Sequence, residues 1–382
     1  MRLAIAGAQH FHVNEILDSA RFVPGLELVG VADAEGAVRL KIAEKYGIPS
    51  FATLDELLQS TRPDMIGCFD VPSQRAEIIA ACLDRGVSVL SDKPAAVTEA
   101  QLDLIRQAAS RAPAGYPGGF RPVFSVILSE RYNPPVVTMK KVVDSGVLGT
   151  IVNFTAFRPH KLRKASRPDW FFRRATYGGI LVDMAIHDID VFQWLTGSRP
   201  VEITAYSANH TCPEYPEFED NGQMLFRAQD GTVGYIKAEW LAPEAHPAHG
   251  DCRFFITGTE GSLEVSTEGD LAAKGGKVTL CTHQMPSRNL PLESPSGTLL
   301  ADFAQAVADA QAGKNNGAGL FEAIPASAAL DATRAVLAAR KAADCGCRVT
   351  LQWEDEDEDE GEAEAEAEAE ADAEGEGGAK RV

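Results

Sequence analysis

The sequence predicts an α/β protein of two units: a parallel, doubly wound sheet, then an α+β unit with a large, mostly antiparallel open sheet. Three observations support this prediction. The first 110 residues alternate short apolar strands with helices, the order that produces a parallel sheet. Residues 201–265 instead contain strand-like runs separated by turns, a pattern typical of an antiparallel sheet. The length of 382 residues exceeds what one ordinary core accommodates.

The boundaries follow from shifts in composition. We expect the parallel unit to occupy residues 1–122, because its end at 111–122 (RAPAGYPGGFRP) is rich in glycine and proline and predicts a connection. The second unit then spans residues 123–352. Residues 353–382 form an acidic tail with 15 acidic and two basic residues, so it carries −13 of the net charge of −19. Such a low-complexity segment cannot bury a core, and we expect it to be disordered.

Charge and composition exclude several kinds of partner. Without the tail the net charge is only −6, and no basic stripe is present, so we expect no nucleic acid partner. We find neither an apolar run near 18 residues nor a secretion signal, and expect no membrane partner. Of seven cysteines only Cys345 and Cys347 are close, at a spacing unlike that of zinc sites. These features predict a cytoplasmic protein without a metal site.

The first elements have the order of a nucleotide-binding unit. Residues Arg2–Gly7 predict a strand that stops at a glycine, Val13–Arg21 a helix, and Leu26–Ala32 a second strand that ends before Asp33. This is the layout of a dinucleotide-binding βαβ unit, in which an acidic residue follows the second strand. Asp33 would accept hydrogen bonds from the adenosine ribose hydroxyls, which favours NAD and leaves NADP open.

The glycine-rich turn of this unit is altered. Gly7 holds the first glycine position, but Gln9 and His12 stand where the second and third glycines belong. A side chain at position 9 limits how closely the backbone can approach a pyrophosphate. An ordinary turn that binds no nucleotide therefore stays open as an alternative. The candidate cofactor-binding residues of this region are Gly7, Gln9, His10, Phe11 and Asp33.

The alternation continues through the rest of the first unit. The sequence predicts helices at 38–46, 54–59, 73–85 and 98–110 and strands at 65–69 and 87–90. In such sheets ligands bind at the carboxyl ends of the strands. Asp92 and Lys93 directly follow the last of these strands, so we expect both at the cofactor site and the lysine in the cleft.

The second unit begins with further short elements. They are a strand at 123–128, a turn at 131–134, a helix at 136–145 and a strand at 151–157. A basic stretch, His160 to Arg174, follows; it indicates an anionic or polyhydroxylated ligand at the cleft mouth, with a solvated loop or a subunit contact as the alternative. We expect the wall of the substrate site to contain Arg131, Tyr132, Arg167 and Trp170.

The segment Gly178–Gly197 predicts one buried helix with a polar stripe. Its polar residues and one tryptophan recur at i, i+4, i+7 and i+11, on one face, and they are Asp183, His187, Asp190 and Trp194. The remaining surface is apolar, so these polar groups need partners or a wet cleft. A carboxylate one turn from a histidine can fix its tautomer and raise its basicity, which suits a general acid/base. A satisfied polar seam between packed elements is the alternative.

The later strands predict one sheet. They lie at 202–207, 222–228, 232–240, 253–257 and 262–265, and helices follow at 299–311 and 323–344. An antiparallel sheet of this kind can leave one face open. A second copy of the chain could cover that face, so we predict a homo-oligomer, a dimer or a tetramer, formed through the sheet.

Three segments together resemble one family. Asp92-Lys93-Pro94 resembles the Glu-Lys-Pro motif, Gly178–Asp190 resembles the Gly-Gly…Asp-x-x-x-His-x-x-Asp helix, and Gly258–Gly261 resembles the Gly-Thr-x-Gly turn of the Gfo/Idh/MocA oxidoreductases. The likeness runs from about Arg2 to Leu351. It departs from the pattern at Gln9 and His12, at Asp92, which is one methylene shorter than glutamate, and at Arg75, where a histidine is common.

The resemblance implies a nicotinamide-dependent hydride transfer at a carbinol of a sugar, cyclitol or related polyol, between a Rossmann domain and a C-terminal α/β domain. The family's catalytic group would correspond to Lys93, Asp183 and His187. We expect His187 to be the base, Lys93 to polarise the oxygen and relay the proton, and Asp183 to orient the base and bind substrate. Two alternatives are a glycosidase or lyase that uses tightly held NAD, and a non-catalytic ligand-sensing or regulatory protein.

Overall fold

The computed structural model describes residues 1–111, 116, 119–268, 275–314 and 323–353. The predicted acidic tail therefore lies outside the described residues, apart from its first residue. Trp353 is anchored, since its indole N–H donates to the Pro200 carbonyl at 2.7 Å.

The first unit is the predicted parallel sheet. Its six strands are β1 (Arg2–Ala6), β2 (Glu27–Ala32), β3 (Ser50–Phe51), β4 (Met65–Cys68), β5 (Ser88–Ser91) and β6 (Phe124–Val126). Their order is β3-β2-β1-β4-β5-β6, and every pair is parallel. All residues of β4 and β5 are buried, as a parallel sheet covered on both faces requires.

Five helices connect these strands. They are α1 (His12–Ala20), α2 (Gly36–Tyr46), α3 (Leu54–Thr61), α4 (Pro72–Leu83) and α5 (Glu99–Ala109). The side chain of Thr98 caps α5 by accepting a hydrogen bond from the Gln101 amide at 3.2 Å. The order of strands and helices confirms the doubly wound architecture.

Residues beyond 122 also belong to the first sheet. We assigned the strand near 123–128 to the second unit, but β6 pairs in parallel with β5, with Leu90 opposite Ser125. A helix far along the chain, α10 (Leu299–Gln311), also packs here, because Leu300 and Phe303 share a core cluster with Ile5. A strand's partner depends on the three-dimensional path of the chain, which the glycine- and proline-rich connection did not reveal.

The second sheet has nine strands in the order β14-β13-β12-β11-β7-β10-β9-β8-β15. They are β7 (Ile151–Pro159), β8 (Pro200–Ala208), β9 (Asn221–Ala228), β10 (Val233–Glu239), β11 (Arg253–Gly258), β12 (Gly261–Ser266), β13 (Lys277–Thr282), β14 (Arg288–Asn289) and β15 (Val349–Thr350). The pair β7 and β10 is parallel and the other pairs are antiparallel. The sheet is therefore mixed and mostly antiparallel.

Helices cover one face of this sheet. The helices of the second half besides α10 are α6 (Pro134–Asp144), α7 (Arg174–Tyr177), α8 (Ile180–Asp183), α9 (Ala185–Thr196) and α11 (Ala326–Cys345). Of these, α11 packs on α9 and on β8, while α9 contacts β7 and β10. Cys345, at the end of α11, forms a disulfide with Cys347. Within the described ranges, no helix combines the length and apolarity needed to cross a membrane.

The segment predicted as one helix is two. Helix α8 ends at Asp183 and α9 begins at Ala185. In a continuous helix the Asp183 carbonyl would accept from the His187 amide. Instead it accepts from the Lys93 ammonium at 3.0 Å, and the His187 amide donates to the Met184 carbonyl at 3.4 Å. The interruption thus coincides with the contact between the two units.

Candidate active site

A cavity of about 750 Å³ lies where the carboxyl ends of the first sheet meet the second unit. Its wall includes residues from both units, among them Gln9, His10, Phe11, His12, Lys93, Arg167, Trp170, Asp183, His187 and Trp240. A cavity in this position is the expected ligand site of an open α/β sheet.

Lys93 enters this cavity directly after β5. Its ammonium donates to Asp183 Oδ1 at 2.7 Å, and both side chains are buried. The peptide bond between Lys93 and Pro94 is cis. The ion pair with Asp183 holds the Lys93 ammonium at a fixed place in a buried part of the wall, where its electrostatic effect on a neighbouring oxygen is stronger than in water.

Both carboxylate oxygens of Asp183 accept hydrogen bonds from neighbouring side chains. Its Oδ2 accepts from the Tyr177 hydroxyl at 2.7 Å, and that hydroxyl accepts from the Trp240 indole N–H at 3.1 Å. Burial alone would raise the pKa of the Asp183 carboxyl, but Lys93 and the Tyr177 hydroxyl outweigh burial and lower it. Tyr177 and Trp240 were missed by the sequence analysis, although Tyr177 directly precedes the Gly178-Gly179 pair.

His187 lines the cavity as predicted, but Asp183 does not orient it. Both oxygens of Asp183 are taken by Lys93 and Tyr177, and the interrupted helix removes the expected geometry. His187 Nδ1 is buried without a hydrogen-bond partner among the described residues. Burial, with the charges of Arg158 and Lys93, holds the pKa of His187 well below its usual value, so the ring is neutral at neutral pH.

Two of the residues expected in the substrate wall lie elsewhere. Arg131 is buried away from the cavity, and its Nε donates to Asp190 Oδ2 at 2.9 Å. Tyr132 donates to Asp302 at 2.9 Å. The side chain of Asp190 thus neutralises a buried arginine. For this part of the helix, the alternative of a polar seam between packed elements is the one that holds. Arg167 and Trp170 do line the cavity.

Asp92 is buried behind the cavity wall, and its carboxylate contacts three side chains. Its carboxylate binds His10 Nδ1 at 2.7 Å, His12 Nδ1 at 2.9 Å and the Arg75 guanidinium at 3.0 Å. Burial lowers the pKa of His10 to about 4, so His10 is a neutral donor. Asp92 therefore acts on the cavity through His10 and His12, rather than by facing a ligand as we expected.

The same cluster offers the ligand types of a metal site, which the sequence analysis did not find. One ligand atom from each of His10, His12 and Asp92 lies within 4.8 Å of the others. Both Nδ1 atoms already bond to the Asp92 carboxylate, and Arg75 shares one of its oxygens. The cluster as it stands is therefore a hydrogen-bonded support for the turn after β1.

The turn after β1 retains features that a dinucleotide requires. Gly7 has a φ of +70°, and a Cβ there would lie 2.3 Å from Asp70 Cβ. A second cavity of about 300 Å³, lined by Gly7, Asp33 and Asp70, adjoins it. A side chain at position 7 would clash with Asp70, so this turn requires glycine beside the cavity, and the site fits the adenosine side of NAD at Gly7 and Asp33.

The side chain of Gln9 occupies part of this nucleotide site. Its amide donates to Asp33 Oδ1 at 2.8 Å, and the backbone amides of Ala8 and Glu35 donate to the same carboxylate at 2.8 Å each. Asp33 is thus buried with both oxygens engaged. The Gln9 contact is the one that comes from a side chain able to rotate away.

Three buried neutral histidines make stability depend on pH. Burial lowers the pKa of His10 to about 4 and of His160 to about 3, and it holds the pKa of His187 well below its usual value. In the unfolded chain each ring binds a proton below about pH 6.5, whereas the folded protein does not. Stability is therefore full above that pH, and we expect a loss of about 1 kcal/mol per histidine by about pH 5.5.

Urea denaturation at several pH values measures this loss. The variant with His10→Gln and His160→Gln should lose less stability between about pH 7.5 and 5.5 than the wild type. A free energy of unfolding that stays constant across this range in the wild type would show that these rings are not buried and neutral.

Comparison with known proteins supports this description. Residues 1–115 match the model of the oxidoreductase family with an NAD-binding Rossmann fold, and residues 136–264 match the GFO/IDH/MocA C-terminal domain. Inositol 2-dehydrogenase 2 of Saccharopolyspora erythraea is 22% identical over 275 residues, which cover 72% of this chain and 76% of that protein.

Solved structures share the fold. Myo-inositol 2-dehydrogenase of Lactobacillus plantarum superposes with a TM-score of 0.72 at 20% identity, covering 92% of this chain and 99% of that chain. An oxidoreductase of Agrobacterium radiobacter, solved with NAD+, L-tartaric acid and magnesium, has a TM-score of 0.71 at 15% identity and coverages of 92% and 98%. The two family models together match more than half of the sequence. The chain therefore belongs to the Gfo/Idh/MocA family of oxidoreductases, with an NAD-binding Rossmann fold in its N-terminal part.

Proposed function

We propose that this protein is a dehydrogenase that transfers a hydride between NAD and a carbinol carbon of a sugar, cyclitol or related polyol. The observation that carries the proposal is that the Lys93–Asp183 pair and a neutral His187 line one cavity between the two units. Its relative from Saccharopolyspora erythraea is named as an inositol dehydrogenase, which is consistent with such a substrate.

The chemistry divides between these side chains. Gly7 and Asp33 would hold NAD+, which would supply the hydride acceptor for the carbinol carbon. His187 takes the hydroxyl proton on its imidazole, since the ring lines the cavity and is neutral. Lys93 donates a hydrogen bond to the same oxygen as it becomes a carbonyl, and Asp183 and Tyr177 hold Lys93 in place.

Nucleotide titration followed by a substrate screen tests this function. NADH binding is followed by fluorescence, with NADPH as the comparison, and NAD+ reduction is then followed by absorbance with sugars and cyclitols. We expect tighter binding of NADH and reduction of NAD+ by at least one polyol. Absence of binding of either nucleotide would favour the non-catalytic alternative, whereas bound NAD without net reduction would favour the glycosidase or lyase.

Gln9 should weaken cofactor binding. Its contact with Asp33 must break before ribose hydroxyls can bind that carboxylate, and a hydrogen bond to a charged group is among the stronger ones. We expect Gln9→Ala to lower the dissociation constant of NADH by about 10-fold, and Gln9→Glu to raise it by adding a negative charge beside Asp33. Fluorescence titration measures both, and an unchanged constant in Gln9→Ala would contradict the role of this contact.

The exposed face of the second sheet supports the proposed homo-oligomer. Tyr206 is 72% exposed and Leu225 is 52% exposed, on adjacent strands β8 and β9. Leu225 lies opposite Tyr235 of β10, and Phe157 packs beside Tyr235 at 6.2 Å between ring centroids. A second copy of this sheet would cover such an apolar face. Native mass spectrometry would count the subunits.

We also propose a cytoplasmic location. Cys68, Cys82, Cys212 and Cys252 are buried free thiols, which is typical of proteins from a reducing compartment. The disulfide between Cys345 and Cys347 closes a loop of one intervening residue and links no distant parts of the chain. Cell fractionation tests this location.

A further inference from the structure

We propose that the substrate carries a carboxylate and that Arg167 binds it, which makes the substrate a sugar acid or other polyhydroxy acid. This inference rests on the proposed function and narrows its substrate class. Arg167 lies in the wall of the same cavity as Lys93 and His187. A ligand that reaches the proton-transfer groups can therefore reach its guanidinium as well.

The first argument is that the other buried cations of the cavity are paired, whereas Arg167 is not. Lys93 is paired with Asp183 at 2.7 Å. Arg158 is paired with Asp188 at 2.7 Å and with Glu130 at 2.7 Å. The guanidinium of Arg167 donates from Nε to the Leu162 carbonyl at 2.9 Å, and no ion pair to an acidic side chain is found for it among the described residues.

The second argument is the setting of the Arg167 guanidinium. It lies 4.5 Å from the ring centroid of Phe171, 4.8 Å from that of Trp240 and 5.9 Å from that of Phe11. This aromatic enclosure restricts water without supplying an anion. Burial consequently lowers the pKa of Arg167, and the neighbouring Arg163 adds to that effect. A carboxylate from the ligand would provide the missing counter-charge.

The acidic residues of the cavity wall do not provide a counter-charge for Arg167. Glu130 is bound to Arg158, and Glu15 is exposed on α1 and forms no ion pair with Arg167. The carboxylate that does act on Arg167 belongs to Asp183, whose oxygens are taken by Lys93 and Tyr177. The cavity is thus polarised, with its unpaired positive charge on the side of Arg163 and Arg167.

Further unpaired polar groups lie in the wall of the same cavity as Arg167. The indole N–H of Trp170 and Nδ1 of His249 are buried without a partner in the described structure, and both residues line the cavity. Trp170 supplies a second donor that a carboxylate or a hydroxyl could use. We favour a carboxylate over a phosphate because Arg163 is exposed to solvent, whereas Arg167 is half-buried in aromatic surroundings. One half-buried cation matches one negative charge better than two.

The position of Arg167 also relates this subsite to the reacting carbon. The ring of Trp240 contacts the Arg167 guanidinium, and its N–H donates to the Tyr177 hydroxyl, which holds Asp183. Two side chains, those of Trp240 and Tyr177, therefore separate the Arg167 guanidinium from Asp183, the residue that fixes Lys93. The carboxylate and the oxidised carbinol would belong to one small molecule.

Matched substrate series test the inference. Steady-state kinetics with NAD+ would compare D-glucose, D-glucuronate and D-glucose 6-phosphate, and likewise D-galactose, D-galacturonate and D-galactose 6-phosphate, with myo-inositol as a further neutral compound. We expect KM for the uronates to be at least about 10-fold lower than for the neutral sugars, the size of effect of one charge-assisted pair. Arg167→Gln should raise KM for the uronates by about 10-fold more than it raises KM for the neutral compounds, so that the preference for uronates is lost.

Two further variants serve as controls. Arg167→Lys keeps the charge and should retain part of the preference, while Arg348→Gln removes an exposed arginine near Glu202 and should change nothing. Thermal melting confirms that each variant is folded. Equal or better turnover of neutral compounds than of uronates by the wild type would overturn the inference but leave the proposed function intact. A preference for the phosphates would also overturn it, and turnover of none of these compounds would count against both.

Discussion

Replacing Lys93 with methionine should lower kcat by about 100-fold or more while NADH still binds. The ammonium is fixed at 2.7 Å from Asp183 in the cavity, where it can donate to the oxygen that becomes a carbonyl. Methionine has a similar length but offers no donor and no charge. Absorbance of NADH gives kcat, and fluorescence titration gives the dissociation constant of the cofactor.

The lysine variant needs two controls. Lys341→Met removes an exposed lysine and should leave kcat unchanged. Lys93→Met also leaves Asp183 buried with Tyr177 as its remaining side-chain partner, so the double variant with Asp183→Asn should recover stability without recovering turnover. If Lys93→Met turned over substrate at the wild-type rate, Lys93 would have no part in the chemistry.

Replacing Asp92 with alanine should destabilise the protein by about 3–5 kcal/mol. Arg75 and Asp92 are both completely buried, so the substitution leaves a guanidinium without its counter-ion. It also removes the acceptor that holds His10 and His12. Urea denaturation measures the loss, and cofactor binding should weaken in parallel because the turn after β1 loses its support.

Matched variants separate the buried charge from other effects. Asp103→Ala removes an exposed ion pair with Arg106 and should cost less than about 1 kcal/mol. Adding Arg75→Met to Asp92→Ala should restore part of the stability, since no unpaired charge then remains buried. A loss for Asp92→Ala no larger than that for Asp103→Ala would contradict the described cluster.

The sequence predicted the parts of the site that depend on local order along the chain. The alternation of apolar strands and helices predicted the parallel sheet, and the carboxyl ends of its strands predicted that Lys93 enters the cleft. The spacing of the polar residues in the Gly178–Gly197 segment likewise predicted one polar face of a buried segment. Asp183 and His187 of that face line the cavity. These predictions needed only periodicity and the general geometry of such sheets.

The remaining features depend on contacts between distant residues. The periodicity of the segment after Gly178 predicted one helix. In the structure Lys93, 90 positions away in the sequence, donates hydrogen bonds to the carbonyl and the carboxylate of Asp183, where the helix is interrupted. We expected Arg131 in the substrate wall, but its guanidinium instead binds Asp190, which lies 59 positions away in the sequence. Long-range partners of this kind decide whether a charged side chain faces a ligand or is neutralised in the interior.

The altered glycine turn is a third case. At the level of sequence, Gln9 and His12 indicated only that two glycines are missing. In the structure both side chains form specific contacts, since Gln9 donates a hydrogen bond to Asp33 and His12 contacts Asp92. Substitutions at a ligand-binding turn can thus be supported by the residues around them, which sequence patterns do not show.

Mass spectrometry of the nicotinamide product, after reaction of NAD+ with a carbon-deuterated substrate of this enzyme, tests direct hydride transfer. We expect one deuterium in each NADH and an amount of NADH equal to that of the oxidised product. Conversion of the substrate without accumulation of NADH, or NADH that contains no deuterium, would contradict the proposed dehydrogenase.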